Sequence, residues 1–229
     1  AICKCIPLLS RFFEERTKQI FSEQLTILRA GKNESELRGA AYACAGIVKG
    51  QGLKFFKERE IIGILQLECF QGKKVDALRL QAGLQLYETL SFALGKAFEP
   101  YIKEILPNIM NCISDPREPV RACANAANEQ IIRNFSNYAI KQVVPMFLDG
   151  LKTDNWRGKF AAVEAVGNMA YCAPKQISGF LPDIVKALRE VLNDTHEKVH
   201  EAAIKAVSKI GSVIKCPEVA ELLDVIIAA

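Results

Sequence analysis

Histidine is the scarcest titratable residue in this chain of 229, with two copies, and tryptophan occurs once. Two histidines exclude a three-histidine metal centre. They also leave nothing from which to assemble a Ser-His-Asp constellation. No apolar run approaches the roughly 20 residues that a membrane-spanning helix needs. No C-x-x-C pair is present, so redox and zinc-ribbon spacings are absent. Gly50-Gln51-Gly52 is a lone G-x-G with no strand before it, which is not a nucleotide loop. No period-two alternation marks a sheet. The opening stretch "AICKCIPLLSRFFEERTKQ" lacks the small-residue cleavage site of a signal peptide. The chain begins without Met and ends on "DVIIAA" within an apolar pattern, so a piece of a longer protein is expected. No cofactor, no membrane and no small-molecule substrate is expected.

What is present is apolar and repetitive. Half the residues are hydrophobic and 24% are charged, enough for a continuous core. The eight cysteines sit mostly among Ala, Ile, Leu and Met, as reduced core thiols do. The net charge of +4 is uneven: residues 1–79 carry 14 Lys/Arg against 9 Asp/Glu, and residues 80–229 carry 16 against 17. Solvated helix faces account for such an excess, and an acidic partner on that side is the alternative.

Five segments align with one another: "RGAAYACAG" from Arg38, "RLQAGLQLY" from Arg79, "RACANAANE" from Arg121, "KFAAVEAVG" from Lys159 and "HEAAIKAVS" from His200. Each opens on a basic or potentially basic residue and has Ala three positions on, at 41, 82, 124, 162 and 203. The openers are 41, 42, 38 and 41 residues apart, the period of a helix pair. In the last segment Ala203, Ala206, Val207 and Ile210 repeat at i, i+3, i+4 and i+7, an amphipathic helix. Pro107, Pro145 and Pro182 mark the apolar segments upstream, 38 and 37 apart. First helices are predicted near 18–30, 58–70, 99–113, 137–151 and 175–192, and second helices near 37–49, 79–94, 119–135, 157–171 and 198–214. "GIVKGQGLKFF" (46–56) is expected to be an inter-repeat loop, and a sixth pair to start at Pro217. Short polar turns with Asp115, Asp154 and Asp194 separate the helices of a pair, Asp being suited to turns and caps. Such pairs cannot bury their apolar faces alone and stack. The expected fold is all-α: a HEAT-repeat, armadillo-like, right-handed α-α superhelix. Residues 1–229 would form a single HEAT-repeat solenoid fragment of about five helix pairs plus partial terminal repeats.

The two histidines lie in His196-Glu197-Lys198-Val199-His200, which spells the H-E-x-x-H zinc-peptidase pattern. In the repeat frame His196 falls in a turn and His200 on the next helix, so a helix starts between them. Glu218 and Glu221 are the conceivable third ligands, each beyond a helix end and Pro217. We read the pattern as coincidence, because two histidines without a third ligand make a poor catalytic zinc site. Trp156, in a turn beside Arg157, is expected to wedge between repeats, with a partner anchor as the alternative.

Several strings are more specific than a generic HEAT repeat: "RGAAYACAGIVKGQGL" (38–53), "LGKAFEPYIKEILPNI" (94–109), "MAYCAPKQISGFLPDIVKALREVLNDTHEKV" (169–199) and "GSVIKCPEV" (211–219). They resemble the general-control translational activator family, in its elongation-factor-three-like region. Two stretches depart from the family pattern: "KKVDALRLQAG" (73–83), where members carry more arginine, and residues 1–30. The resemblance implies a non-catalytic, cytoplasmic scaffold segment of a ribosome-binding activator. Such an activator works with an ABC-type ATPase and promotes activation of the initiation-factor-two-alpha kinase in amino-acid starvation or ribosome stalling. The kinase contacts would lie outside this segment. Two other readings are the HEAT domain of elongation factor three and a generic HEAT adaptor of transport-receptor or phosphatase-scaffold type.

Ribosome binding needs cations on one edge. Lys32, Lys73, Lys74, Arg117, Lys152, Arg157 and Lys198 belong to turns, and turns share a ridge in repeat folds. These seven are the candidate contacts to rRNA phosphates or an acidic ribosomal protein. The openers Arg38, Arg79, Arg121 and Lys159 are expected instead to hold turn aspartates or carbonyls of a neighbour.

Overall fold

A computed structural model describes residues 2–71, 75–172 and 174–213. Its contacts group into two compact units, 1–134 and 135–229. The first contains α1 (Ile2–Phe12), α2 (Glu14–Ala30), α3 (Glu34–Gln51), α4 (Leu53–Glu58) and α5 (Ile61–Leu65), then a π turn (Gln66–Phe70). It continues with α6 (Ala77–Leu94), a 3-10 segment (Gly95–Tyr101), α7 (Ile102–Ile113) and α8 (Glu118–Arg133). The second contains α9 (Asn137–Leu151), α10 (Trp156–Cys172) and α11 (Pro174–Ile177), then a 3-10 turn (Ser178–Phe180), α12 (Leu181–Val191) and α13 (Glu197–Val213). No strand occurs among the described residues.

Within the first unit α1, α3, α6 and α8 pack each on the next, while α2 backs α3 and α7 backs α8. In the second unit α10 packs on α13, with α9 behind α10 and α12 behind α13. The repeat alanines explain the close approach. Ala41, Ala82, Ala124, Ala162 and Ala203 are each 0% exposed, and a larger side chain there would force the neighbouring helix outward. Ala206, Val207 and Ile210 are buried with Ala203, the face that the periodicity predicts.

Polar side chains tie one repeat to the next. Thr89 Oγ1 donates to Ala41 O at 3.2 Å, and Asn134 Nδ2 donates to Ser91 O at 2.8 Å. Gln66 Nε2 reaches Glu104 O at 3.1 Å. The Thr89 bond is buried, and leaving such a partner unmet costs about 1–3 kcal/mol, which fixes the register there.

Three boundaries differ from expectation. The stretch 46–51 is helix, not loop: α3 runs to Gln51 and only Gly52, at φ +87°, breaks the chain. Its glycines serve packing. A Cβ on Gly46 would lie 3.1 Å from Ile6, and one on Gly50 would overlap Pro7 and Ser10 of α1. Helix α1 was not foreseen, and it occupies the place of a second helix beside α3. The outer helix expected at 58–70 is broken instead at Glu60, which sits at φ +45°. The predicted pair after Pro217 lies outside the described residues.

Candidate functional site

Three of the turns between paired helices are built on one device. Asp115 Oδ1 accepts the backbone N–H of Arg117 at 2.9 Å, Asn155 Oδ1 that of Arg157 at 3.1 Å, and Asp194 Oδ1 that of His196 at 2.9 Å. Each is an Asx turn, in which a side-chain oxygen caps the backbone two residues on. In the turn that is one residue shorter, Asn155 takes this role in place of the expected Asp154. In the first pair, Asn33 Oδ1 caps α3 through Glu36 N at 2.9 Å.

These turns place the candidate cations in three situations. Lys32, Lys152, Arg157 and Lys198 are exposed and none forms an ion pair among the described residues. Lys73 and Lys74 lie outside the described residues. Arg117 is engaged. Its Nε and Nη2 hold the two oxygens of Asp115 at 2.8 and 2.9 Å, and its Nη1 donates to Val75 O, in the preceding turn, at 3.1 Å. The guanidinium holds Asp115 below the usual carboxylate range, chiefly through the side-chain hydrogen bonds. Arg117 is thus a cross-link between two turns before it is anything else.

The turns of the second unit converge on Trp156. The His196 ring stacks on it at 4.2 Å between centroids and 12° between planes. Arg157 Cζ and Lys198 Nζ stand 5.4 and 5.8 Å from the same centroid, within cation–π range. The tryptophan therefore joins the turn of one repeat to the turn of the next, the wedge that the sequence suggests. His196 precedes α13, its backbone carbonyl accepting from Val199 N and His200 N at 2.9 and 3.1 Å. Its ring faces the indole, while His200 lies on the helix. No group of three potential metal ligands occurs among the described residues, and Glu218 and Glu221 lie outside them.

The openers behave unevenly. Lys159 Nζ meets Asp194 Oδ2, in the next turn, at 2.5 Å. Arg121 Nη1 donates to Asp115 O and Pro116 O at 2.9 and 2.8 Å, and Nη2 pairs with Glu118. Arg38 is drawn to Tyr42, with Glu88 and Glu34 nearby. Arg79 is exposed and makes no hydrogen bond or ion pair among the described residues. Sequence reasoning anticipated aspartates in the turns and Trp156 between repeats, but not the Arg117 cross-link or the His196 ring as the partner of Trp156. Both depend on which neighbour a turn faces.

Among the described residues no helix is long and apolar enough to cross a membrane. What each unit presents is stacked helix pairs with polar turns, the architecture of a HEAT-repeat protein. The chain belongs to the EF3 N-terminal HEAT repeat family, whose family model matches residues 37–207. It is 37% identical over all 229 residues to the human protein "Stalled ribosome sensor GCN1". It is 40% identical over 219 residues, 95% of the chain, to "eIF-2-alpha kinase activator GCN1" of Dictyostelium discoideum. The chain spans 8% of the length of each of these relatives. Residues 1–30, which depart from the family pattern, fall within the human alignment. Elongation factor 3 of Gonapodya prolifera is 25% identical over 208 residues, covering 90% of this chain and 19% of that protein. Among solved structures, a TOG domain of Crescerin superposes with a TM-score of 0.61 at 14% identity, covering 85% of this chain and 77% of that one. Karyopherin Kap121p superposes with a TM-score of 0.55 at 15% identity, covering 91% and 22%. These structural likenesses show the fold alone.

Proposed function

We propose that this chain is a non-catalytic scaffold segment of a ribosome-binding translational activator, and that its exposed basic turns make the ribosome contact. The observation that carries this reading is the similarity, over 229 and 219 residues, to proteins named for sensing stalled ribosomes and activating the eIF-2-alpha kinase. In this reading the whole protein is cytoplasmic, works with an ABC-type ATPase, and reaches the kinase through regions outside this segment. Residues 1–229 are read as a single HEAT-repeat fragment because the openers recur across it at 41, 42, 38 and 41 residues.

Lys32, Lys73, Lys74, Lys152, Arg157 and Lys198 supply the cations. Arg117 holds the ridge in shape, because Asp115 and Val75 already occupy its donors. Exposed lysines without acidic partners suit phosphate oxygens, which attract a cation from many directions. The test is co-sedimentation of the chain with purified cytosolic ribosomes, beside a variant with Lys73, Lys74, Lys152 and Arg157 changed to Glu. The wild type is expected to pellet and the variant to stay in solution. Equal behaviour of the two would remove the turns from the contact.

A further inference from the structure

Arg79 is the arginine of the opener column that makes no hydrogen bond or ion pair among the described residues. In the pairing that Lys159 makes, an opener takes the aspartate of the next turn. For Arg79 that aspartate is Asp115, and Arg117 holds both of its oxygens. Arg79 lines instead a cleft of about 200 Å³ with Arg29, Leu67, Glu68, Cys69 and Gln71. There Arg29 Nε is already paired with Glu68 at 2.5 Å. Arg79, with five N–H donors in a fixed fork, has no acceptor among the described residues. Beside it Leu67 is 64% exposed.

We propose that this cleft binds a carboxylate side chain of an acidic partner peptide, with Arg79 as the ligand to the carboxylate and Leu67 as the seat for an adjacent apolar residue. A guanidinium without a partner at a concave site matches a planar carboxylate through two parallel hydrogen bonds. The cleft is smaller than the roughly 300–1,000 Å³ of small-molecule sites, and suits one side chain instead of a free metabolite. The Arg29–Glu68 pair leaves Arg79 as the cation of this lining with no partner among the described residues. Gln71 of this lining belongs to the turn before α6, so the peptide reading is tested with Arg79 alone and does not depend on the ribosome reading.

The test is fluorescence anisotropy of the whole chain with a labelled peptide bearing two glutamates followed by leucine. The same peptide with glutamines and a single-stranded RNA of similar length serve as competitors. Binding is expected to weaken about tenfold in Arg79→Gln, to be partly kept in Arg79→Lys, and to be unchanged in Lys49→Gln, an exposed position on α3. Circular dichroism of each variant shows whether the fold is kept. Failure of the wild type to bind the peptide would overturn the proposal. So would equal affinity in the wild type and a folded Arg79→Gln, or an RNA affinity that depends on Arg79 while the peptide's does not. Loss of ribosome binding on changing Lys152 and Arg157 to Glu, outside the cleft lining, would leave this result untouched.

Discussion

Breaking the ion pair between Lys159 and Asp194 should loosen one repeat from its neighbour and leave the rest of the chain in place. The two side chains are 20% and 14% exposed and 2.5 Å apart. Exposed pairs contribute about 0–1 kcal/mol, and removing one partner of a fully buried pair costs about 3–5 kcal/mol. At these exposures we expect Lys159→Met to cost about 2 kcal/mol, with a coupling of about 1–1.5 kcal/mol in the double-mutant cycle with Asp194→Asn. Asp194→Ala should cost about 1 kcal/mol more, because it also removes the acceptor for His196 N–H. The assay is urea unfolding of the chain combined with hydrogen exchange along it. In a stack of repeats each element depends on its nearest neighbours. Protection should therefore fall in α13 before it falls in α3 or α6. A coupling below about 0.3 kcal/mol, or an equal loss of protection in α3 and α13, would refute this reasoning. The pair also sets a pH dependence. Lys159, and after it the His196 N–H, hold Asp194 below the usual carboxylate range. A depressed carboxylate contributes stability at neutral pH that is lost as pH falls below about 4, through the folded-state value. Asp194→Asn should flatten that loss.

Trp156 is the one tryptophan, so its emission reports the turn stack directly. His196→Ala uncovers an indole face, and should shift the emission to longer wavelength and increase quenching by acrylamide. An unchanged spectrum would mean that the ring is not stacked. Two glycines should respond with opposite sign. A Cβ at Gly83 would lie 2.7 Å from the Phe70 ring and 2.9 Å from Cys69 Cβ, so Gly83→Ala should destabilise by about 1–3 kcal/mol. At Gly39 nothing lies within 4 Å, so Gly39→Ala should stabilise α3 by up to about 1 kcal/mol; thermal melts compare the two. Burial pushes the thiols of Cys44 and Cys112 up to about 12 and that of Cys69 up to about 11. These three should resist a thiol reagent at pH 8 until the chain is unfolded, while exposed Cys5 reacts in the native state.

The helix pairs were legible because every second helix repeats one spatial problem. A small residue must sit where the next helix crosses, and alanine recurs at 41, 82, 124, 162 and 203, each fully buried. Helix α1 was not legible, since the features that seat it lie 40 residues away, in Gly46 and Gly50. Read locally, those glycines look like a loop. The break of the second outer helix at Glu60 has no glycine or proline to mark it. Lys32 and Lys152 lie in turns as the spacing suggests, whereas Arg157 and Lys198 fall in the first turns of α10 and α13, and Lys73 and Lys74 lie outside the described residues. The availability of the candidate cations was not legible from spacing, because it depends on which acid each one faces. Arg117 and Lys159 lose their freedom to aspartates, whereas Arg79 keeps its own because Asp115 is already taken.

The central claim is that the basic turns meet a phosphate-rich surface, and the salt dependence of ribosome binding by this chain tests it most directly. With four to six cations neutralising phosphates, log affinity should fall with log salt at a slope of about −3 to −5. The variant with Lys73, Lys74, Lys152 and Arg157 changed to Glu should lose most of both affinity and slope. Binding that is insensitive to salt, or a slope that the four substitutions leave unchanged, would contradict the account.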